Sequence, residues 1–197
     1  MGYLSGLQEY LDQRYHISIF DQALSSEQPW ELHIHGHQII RVRVIENLQY
    51  DLKVNTDENG DQILPKTDIK LIYPEELAKF VAPLLKTDKN VRDLALEPIR
   101  SPKKRYHVKN KSLFPLMKEK KVLFFTLLEG EIIRGIIGGF SRYEITFCLK
   151  GGIPVTILRH SIYDIRDKNG RCFLKSFQET QRDWEKSPLF LSSATNE

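Results

Sequence analysis

Cysteine is scarce. Of 197 residues only Cys148 and Cys172 carry a thiol, and their spacing fits neither a metal-binding pair nor the disulfide framework of a small secreted domain. No apolar run approaches the roughly 18 residues of a membrane span. The start, Met1-Gly2-Tyr3-Leu4-Ser5, has neither the basic segment nor the apolar core of a signal peptide. These absences predict a cytoplasmic protein with no membrane partner. A nucleophile–base pair, a phosphate-cradling glycine loop and a carboxylate pair are also missing, so neither an enzyme nor a cofactor is expected. Excess charge is small too: the net is +3, which alone predicts no nucleic-acid partner.

Its distribution is uneven, however. Residues 99–121 hold nine basic and one acidic side chain, residues 27–74 five against eight, and residues 122–166 five against four. The basicity therefore lies in a connector, where Lys103, Lys104 and Arg105 lead a cluster completed by Lys109 and Lys111. Such a stretch either tracks a phosphate backbone, with a salt-sensitive gain from counterion release, or is an ordinary solvated linker.

The densest strand signals run from Val122 to Arg166. In Tyr143–Lys150, residues Tyr143, Ile145, Phe147 and Leu149 alternate with Glu144, Thr146 and Lys150, the period of a half-buried strand. Lys150-Gly151-Gly152-Ile153 then reverses the chain. Breaks at Gly130, Gly138-Gly139 and Gly151-Gly152 divide the segment into about five short strands, which are expected to curl into a small barrel that hides its edges.

Within this segment, Gly130-Glu131-Ile132-Ile133-Arg134-Gly135, then Phe140 and Tyr143, then Arg159-His160-Ser161-Ile162 follow one another at spacings that resemble the Sm-like fold, and in particular the Hfq family of RNA chaperones. The resemblance implies a non-catalytic protein that binds single-stranded RNA in post-transcriptional regulation. It also implies Tyr143 on a pore-facing loop, stacking on a base, with Arg159 and His160 in the turn between the last two strands contacting phosphate, ribose or base. Thr126 and Ile132 stand where adenine-binding members carry other residues, so U-rich RNA is the expected class. The residues themselves also admit plainer roles: Tyr143 as part of an apolar face, Arg159 as a surface charge, His160 as a hydrogen-bonded structural histidine.

Sliding the chain by 93 residues brings Ile39-Ile40-Arg41 onto Ile132-Ile133-Arg134, Tyr50-Asp51-Leu52 onto Tyr143-Glu144-Ile145, Lys66 onto Arg159, Ile69 onto Ile162 and Ile72 onto Ile165. A tandem duplication follows. The predicted architecture is mainly β with short helices: two Sm-like five-stranded bent-sheet barrels joined by a helical and basic linker. Residues 1–29 form an N-terminal helix and loop, 30–73 a diverged barrel, 74–121 the linker, 122–177 the second barrel with an extra hairpin, and 178–197 a polar tail frayed at its end. Short helices are predicted over 6–15, opened by a capping box at Ser5-Gly6-Leu7-Gln8, from Pro74 through Leu84, over 87–96 and over 112–120.

Thr67-Asp68 stands where the second barrel has His160-Ser161. An aspartate would repel phosphate, so the first barrel is expected to be structural. Glu31, His33, His35 and His37 share a strand face and could approach zinc, but Gly36 turns the chain before His37 converges, and no metal is assigned. Because Sm-like barrels assemble through edge strands, a homo-oligomer is expected, a trimeric pseudo-hexamer or a higher ring. The competing expectation is a ring-forming adaptor for a protein partner that has lost RNA binding.

Overall fold

A computed structural model describes residues 2–192. Ten strands of five or more residues build its main sheet. In the first unit these are β1 (Trp30–Ile34), β2 (Gln38–Asn47), β3 (Asp51–Thr56), β4 (Gly60–Pro65) and β5 (Ile69–Pro74). In the second they are β6 (Leu123–Leu127), β7 (Glu131–Phe140), β8 (Glu144–Cys148), β9 (Pro154–Leu158) and β10 (Ile162–Asp167). Four of the five strands of each unit begin 93 residues apart, and the fourth differs by one. Even the 3-10 turns before the last strands, Lys66–Asp68 and Arg159–Ser161, keep that separation.

The spatial order is β10-β6-β7-β8-β9-β5-β1-β2-β3-β4, with antiparallel pairing at each step. Each unit therefore places its fifth strand beside its first. The ten-residue second strands bend at matching bulges, where Ile45 and Gly138 are the extra residues, because one unpaired residue kinks the strand and raises its twist.

The predicted barrels do not close. Among the described residues β4 does not pair with β5, nor β9 with β10. The outer edge of β5 is taken instead by β9, through Leu71↔Ile157 and Ile72↔Thr156. The outer edge of β10 is covered by its own continuation: Phe173 N–H donates to Ile165 O at 2.9 Å, Asp167 N–H donates to Arg171 O at 3.1 Å, and Cys172 bridges Arg166. Arg171–Phe173 thus occupy the Ile165–Asp167 end of that edge.

Two apolar cores flank the junction. The first gathers Trp30, Leu32, Val42, Leu52, Val54, Ile69 and Ile72 under α2 (Ile19–Ser25), which contributes Phe20 and Ala23. The second gathers Phe125, Ile133, Ile145, Phe147, Ile157 and Ile165 with Leu7 of α1 (Leu7–Arg14) and Leu113, Phe114 and Leu116 of an Asn110–Lys118 helix. β5 serves both: Leu71 and Tyr73 enter the second core, Ile69 and Ile72 the first. A strand covered on both faces accounts for its nearly continuous apolar run.

Three of the predicted helices are shorter than expected, the 112–120 helix keeps its length but runs over Asn110–Lys118, and one helix was missed. Pro74–Leu84 breaks into two 3-10 turns around Ala78–Val81, with Pro83 in the last. The 87–96 helix reduces to Lys89–Arg92, capped by Asp88 through Asn90 N–H at 3.0 Å and Val91 N–H at 3.3 Å. The capping box fails, because Gly6 and not Ser5 is the N-cap of α1 and Ser5 N–H pairs with Leu189 O at 2.9 Å. Helix α2 went unpredicted. The tail is ordered through Lys175–Gln181, with Trp184 buried, and Phe190–Leu191 pairs with Tyr3–Leu4; the frayed end expected at 193–197 lies outside the described residues. Among the described residues no helix is long and apolar enough to cross a membrane.

Candidate nucleic-acid interface

Tyr143 sits in the turn between β7 and β8 and is 58% exposed. The Arg142 guanidinium lies over the ring, 5.2 Å from its centre, a cation–π pairing on one of its faces. Tyr143 O accepts the Arg159 N–H at 2.8 Å, so the turn is held against the 3-10 turn that follows β9. Lys103 and Lys104 are exposed on a single 3-10 turn of the connector.

Arg105 does not join them at the surface. Its Nε donates to Ile99 O at 3.0 Å and its Nη2 to Arg100 O at 3.1 Å, so the guanidinium folds the connector on itself. Burial lowers its pKa, an effect the nearby Tyr143 opposes. The connector is also pinned by His107, hydrogen-bonded through Nε2 to Pro102 O at 2.7 Å, and by Tyr106 packed edge-on against Tyr163 at 5.3 Å. It is a docked segment and not a free basic strand.

Arg159 and His160 point inward. The Arg159 Nη2 donates to Asn110 Oδ1 at 3.0 Å and the guanidinium lies 5.5 Å from the Phe140 ring centre, while Nε is buried without a hydrogen-bond partner. Burial lowers its pKa to about 10, opposed by the Tyr15 and Tyr10 phenols. The His160 Nε2 reaches Ile69 O at 2.8 Å and so carries the proton of a neutral ring. Burial lowers its pKa to about 4, with Arg105 and His35 adding to the effect and the Ile69 bond opposing it. Ser161 Oγ donates to Lys70 O at 3.1 Å across the same seam. His160 and Ser161 join the two units, and Arg159 and His160 are only partly exposed.

The first unit repeats the arrangement. Tyr50 is 73% exposed between β2 and β3, and its carbonyl accepts Lys66 N–H at 2.9 Å, the counterpart of the Tyr143–Arg159 bond. Lys66 turns its ammonium onto Leu48 O and lies 5.4 Å from the Phe20 ring centre. Burial lowers its pKa, opposed by Asp21, Asp51 and Glu144. Tyr50 was not among the predicted site residues, although the offset that pairs it with Tyr143 was visible.

Glu31 and His33 share the expected face, 3.6 Å apart, but the strand ends at Ile34, and His35 and His37 each lie 3.9 Å from Glu129. His33 Nε2 hydrogen-bonds Tyr73 Oη at 2.7 Å, and that hydroxyl donates to Glu31; the phenol pKa is raised by burial and by this carboxylate. His37 instead approaches Glu129 and Glu131, and one ligand-capable atom of each lies within 4.8 Å of the others. Those carboxylates already enclose a cation, since the Lys70 ammonium, on a side chain 1% exposed, contacts both. Burial tends to raise the Glu129 pKa, but Lys70 and the Gly36 and His37 N–H groups outweigh it and hold it low. Lysine thus supplies the charge that a metal would.

No family model, curated protein or solved structure matches this chain. Its function is argued from this geometry.

Proposed function

We propose that this is a non-catalytic, Sm-like RNA-binding protein built from two tandem units, which holds single-stranded, U-rich RNA for post-transcriptional regulation in the cytoplasm. The observation that carries the reading is the pair of exposed rings, Tyr50 and Tyr143, on equivalent turns of equivalent units. An aromatic face stacks on any base, and each such contact is worth about 1–3 kcal/mol by alanine replacement. Arg142, Lys103 and Lys104 add exposed positive charge, which favours a phosphate backbone. The joining of β9 to β5 supports the Sm-like reading, because units of that fold assemble through edge strands.

One observation favours the second reading, an Sm-like adaptor for a protein partner. Arg159 and His160, the residues expected to grip RNA, are engaged in internal bonds. Binding of fluorescent U-rich, A-rich and mixed RNA oligomers across a salt series separates the two. Tyr50→Ala and Tyr143→Ala should each weaken U-rich binding by about tenfold or more. No binding to the wild type at low salt, or binding indifferent to both substitutions, sinks the RNA reading and leaves the adaptor.

A further inference from the structure

The main sheet has two ends, and they are not alike. One end is β10, where Ile165 C=O and Asp167 N–H are engaged by Phe173 and Arg171. The other is β4, which pairs with β3 on one side and with no strand on the other among the described residues. We propose that β4 is a self-recognising edge through which two copies of this chain form a two-fold dimer.

The internal junction shows what a fourth strand does when its edge is satisfied. Thr156 of β9 pairs with Ile72 across the unit boundary and is 4% exposed. Its counterpart 93 residues earlier is Ile63, an isoleucine 63% exposed on the unpaired edge. Exposed apolar edges invite pairing. A fifth strand like β5 would be the matching partner, but in β10 Ile165, the equivalent of the junction residue Ile72, already gives its carbonyl to Phe173 N–H. Head-to-tail growth into a ring or fibre is therefore blocked, and β4 is left with a copy of itself.

Self-pairing fits the backbone. Lys66 N–H donates to Tyr50 O at 2.9 Å, continuing the Asp51↔Pro65 register. Strand alternation then turns the N–H and C=O of Asp61 and Ile63, and the C=O of Pro65, away from β3. In an antiparallel pair centred on Ile63, the two Ile63 residues exchange both bonds, and each Asp61 N–H meets the Pro65 carbonyl of the other copy. Every outward N–H of the pair is satisfied, and only the Asp61 carbonyl, opposite a proline without an N–H, is left to water. The Asp61 carboxylates lie four residues apart along the pair, roughly 13 Å, and each keeps its Lys53 at 3.3 Å. The register displaced by two residues would halve that separation and set aspartate against isoleucine.

Sedimentation of the full chain without RNA tests this, with Ile63→Lys beside the wild type. The expected result is a monomer–dimer equilibrium whose dissociation constant rises about tenfold or more in the variant, because two lysines then face each other across the axis. Amide exchange of the wild type gives a readout free of any folding defect: the Ile63 N–H should become protected as concentration rises through the dimer range. A wild type that stays monomeric overturns the proposal. So does a dimer indifferent to Ile63→Lys, a dimer without protection at Ile63, or any species larger than a dimer.

Discussion

The two units share strand order, strand boundaries and bulge positions, yet differ wherever a neighbour touches them. In the second unit Gly130, at φ 88°, is packed against the connector: a Cβ there would lie 2.5 Å from Asp88 O and 3.0 Å from Arg92 N. In the first, Gly36 has nearly the same φ, 85°, with nothing within 4 Å of that position. Thr156 is sealed by β5, whereas its equivalent Ile63 faces solvent. The turn Arg159–Ser161 is bonded into the seam, and its counterpart Lys66–Asp68 is not. The two units agree in their strands, and position in the array sets the chemistry by which they differ.

The comparison breaks most sharply at Lys70, which the first unit donates to Glu129 and Glu131 of the second. Lys70→Ala leaves two carboxylates without their cation and should cost about 3–5 kcal/mol in denaturant unfolding. A loss under 1 kcal/mol, on the order of a surface pair, would show that the units do not depend on each other here. Next comes the glycine pair. Gly36→Ala should cost about 1–2 kcal/mol of left-handed strain alone. Gly130→Ala adds backbone overlap and should reach roughly 3–4 kcal/mol. Equal costs would mean that the connector moves away freely.

The tyrosines sharpen the comparison in function. If the units are equivalent RNA platforms, Tyr50→Ala and Tyr143→Ala weaken U-rich binding alike, by about 1–3 kcal/mol each; an effect confined to Tyr143→Ala would make the first unit structural, as Thr67-Asp68 had suggested. Lys103→Ala with Lys104→Ala should flatten the salt dependence of binding by roughly one to two units of slope. The smallest effect at neutral pH belongs to His160→Gln, which exchanges one hydrogen bond for another. Its signature is in pH. The folded pKa of about 4 lies below the ordinary 6.5, so the unfolded chain binds the extra proton first and stability falls as pH drops from 6.5 towards 4. The glutamine variant should lose part of that slope in unfolding measurements. His33 and His35, also lowered by burial, retain the remainder.

Local pattern made much of the sheet legible. Alternation in Tyr143–Lys150 marked β8, the glycines after it marked the turn, and Lys168-Asn169-Gly170-Arg171 marked the reversal that covers β10. The offset of 93 carried the second copy of everything, Tyr50 included. Helix α2 was missed although Ser18 caps it through Phe20 N–H at 3.2 Å, because its seven residues are too few to establish a period. The internal bonding of Arg159 and His160 was hidden for another reason. Their side chains are spent on Asn110 and Ile69, 49 and 91 residues away, and no local pattern records which surface a neighbouring unit will cover. The same holds for Lys70, whose partners lie 59 and 61 residues further along.

The short ladder of Tyr3↔Leu191 and Leu4↔Phe190 sets a timetable for synthesis. As the ribosome delivers the chain, Leu4 must wait, apolar and unpaired, until Phe190 has been made. The first unit can assemble its own strands long before then, but the clasp between Tyr3–Leu4 and Phe190–Leu191 closes only afterwards, so late-stage protection from proteases should appear at both strands together.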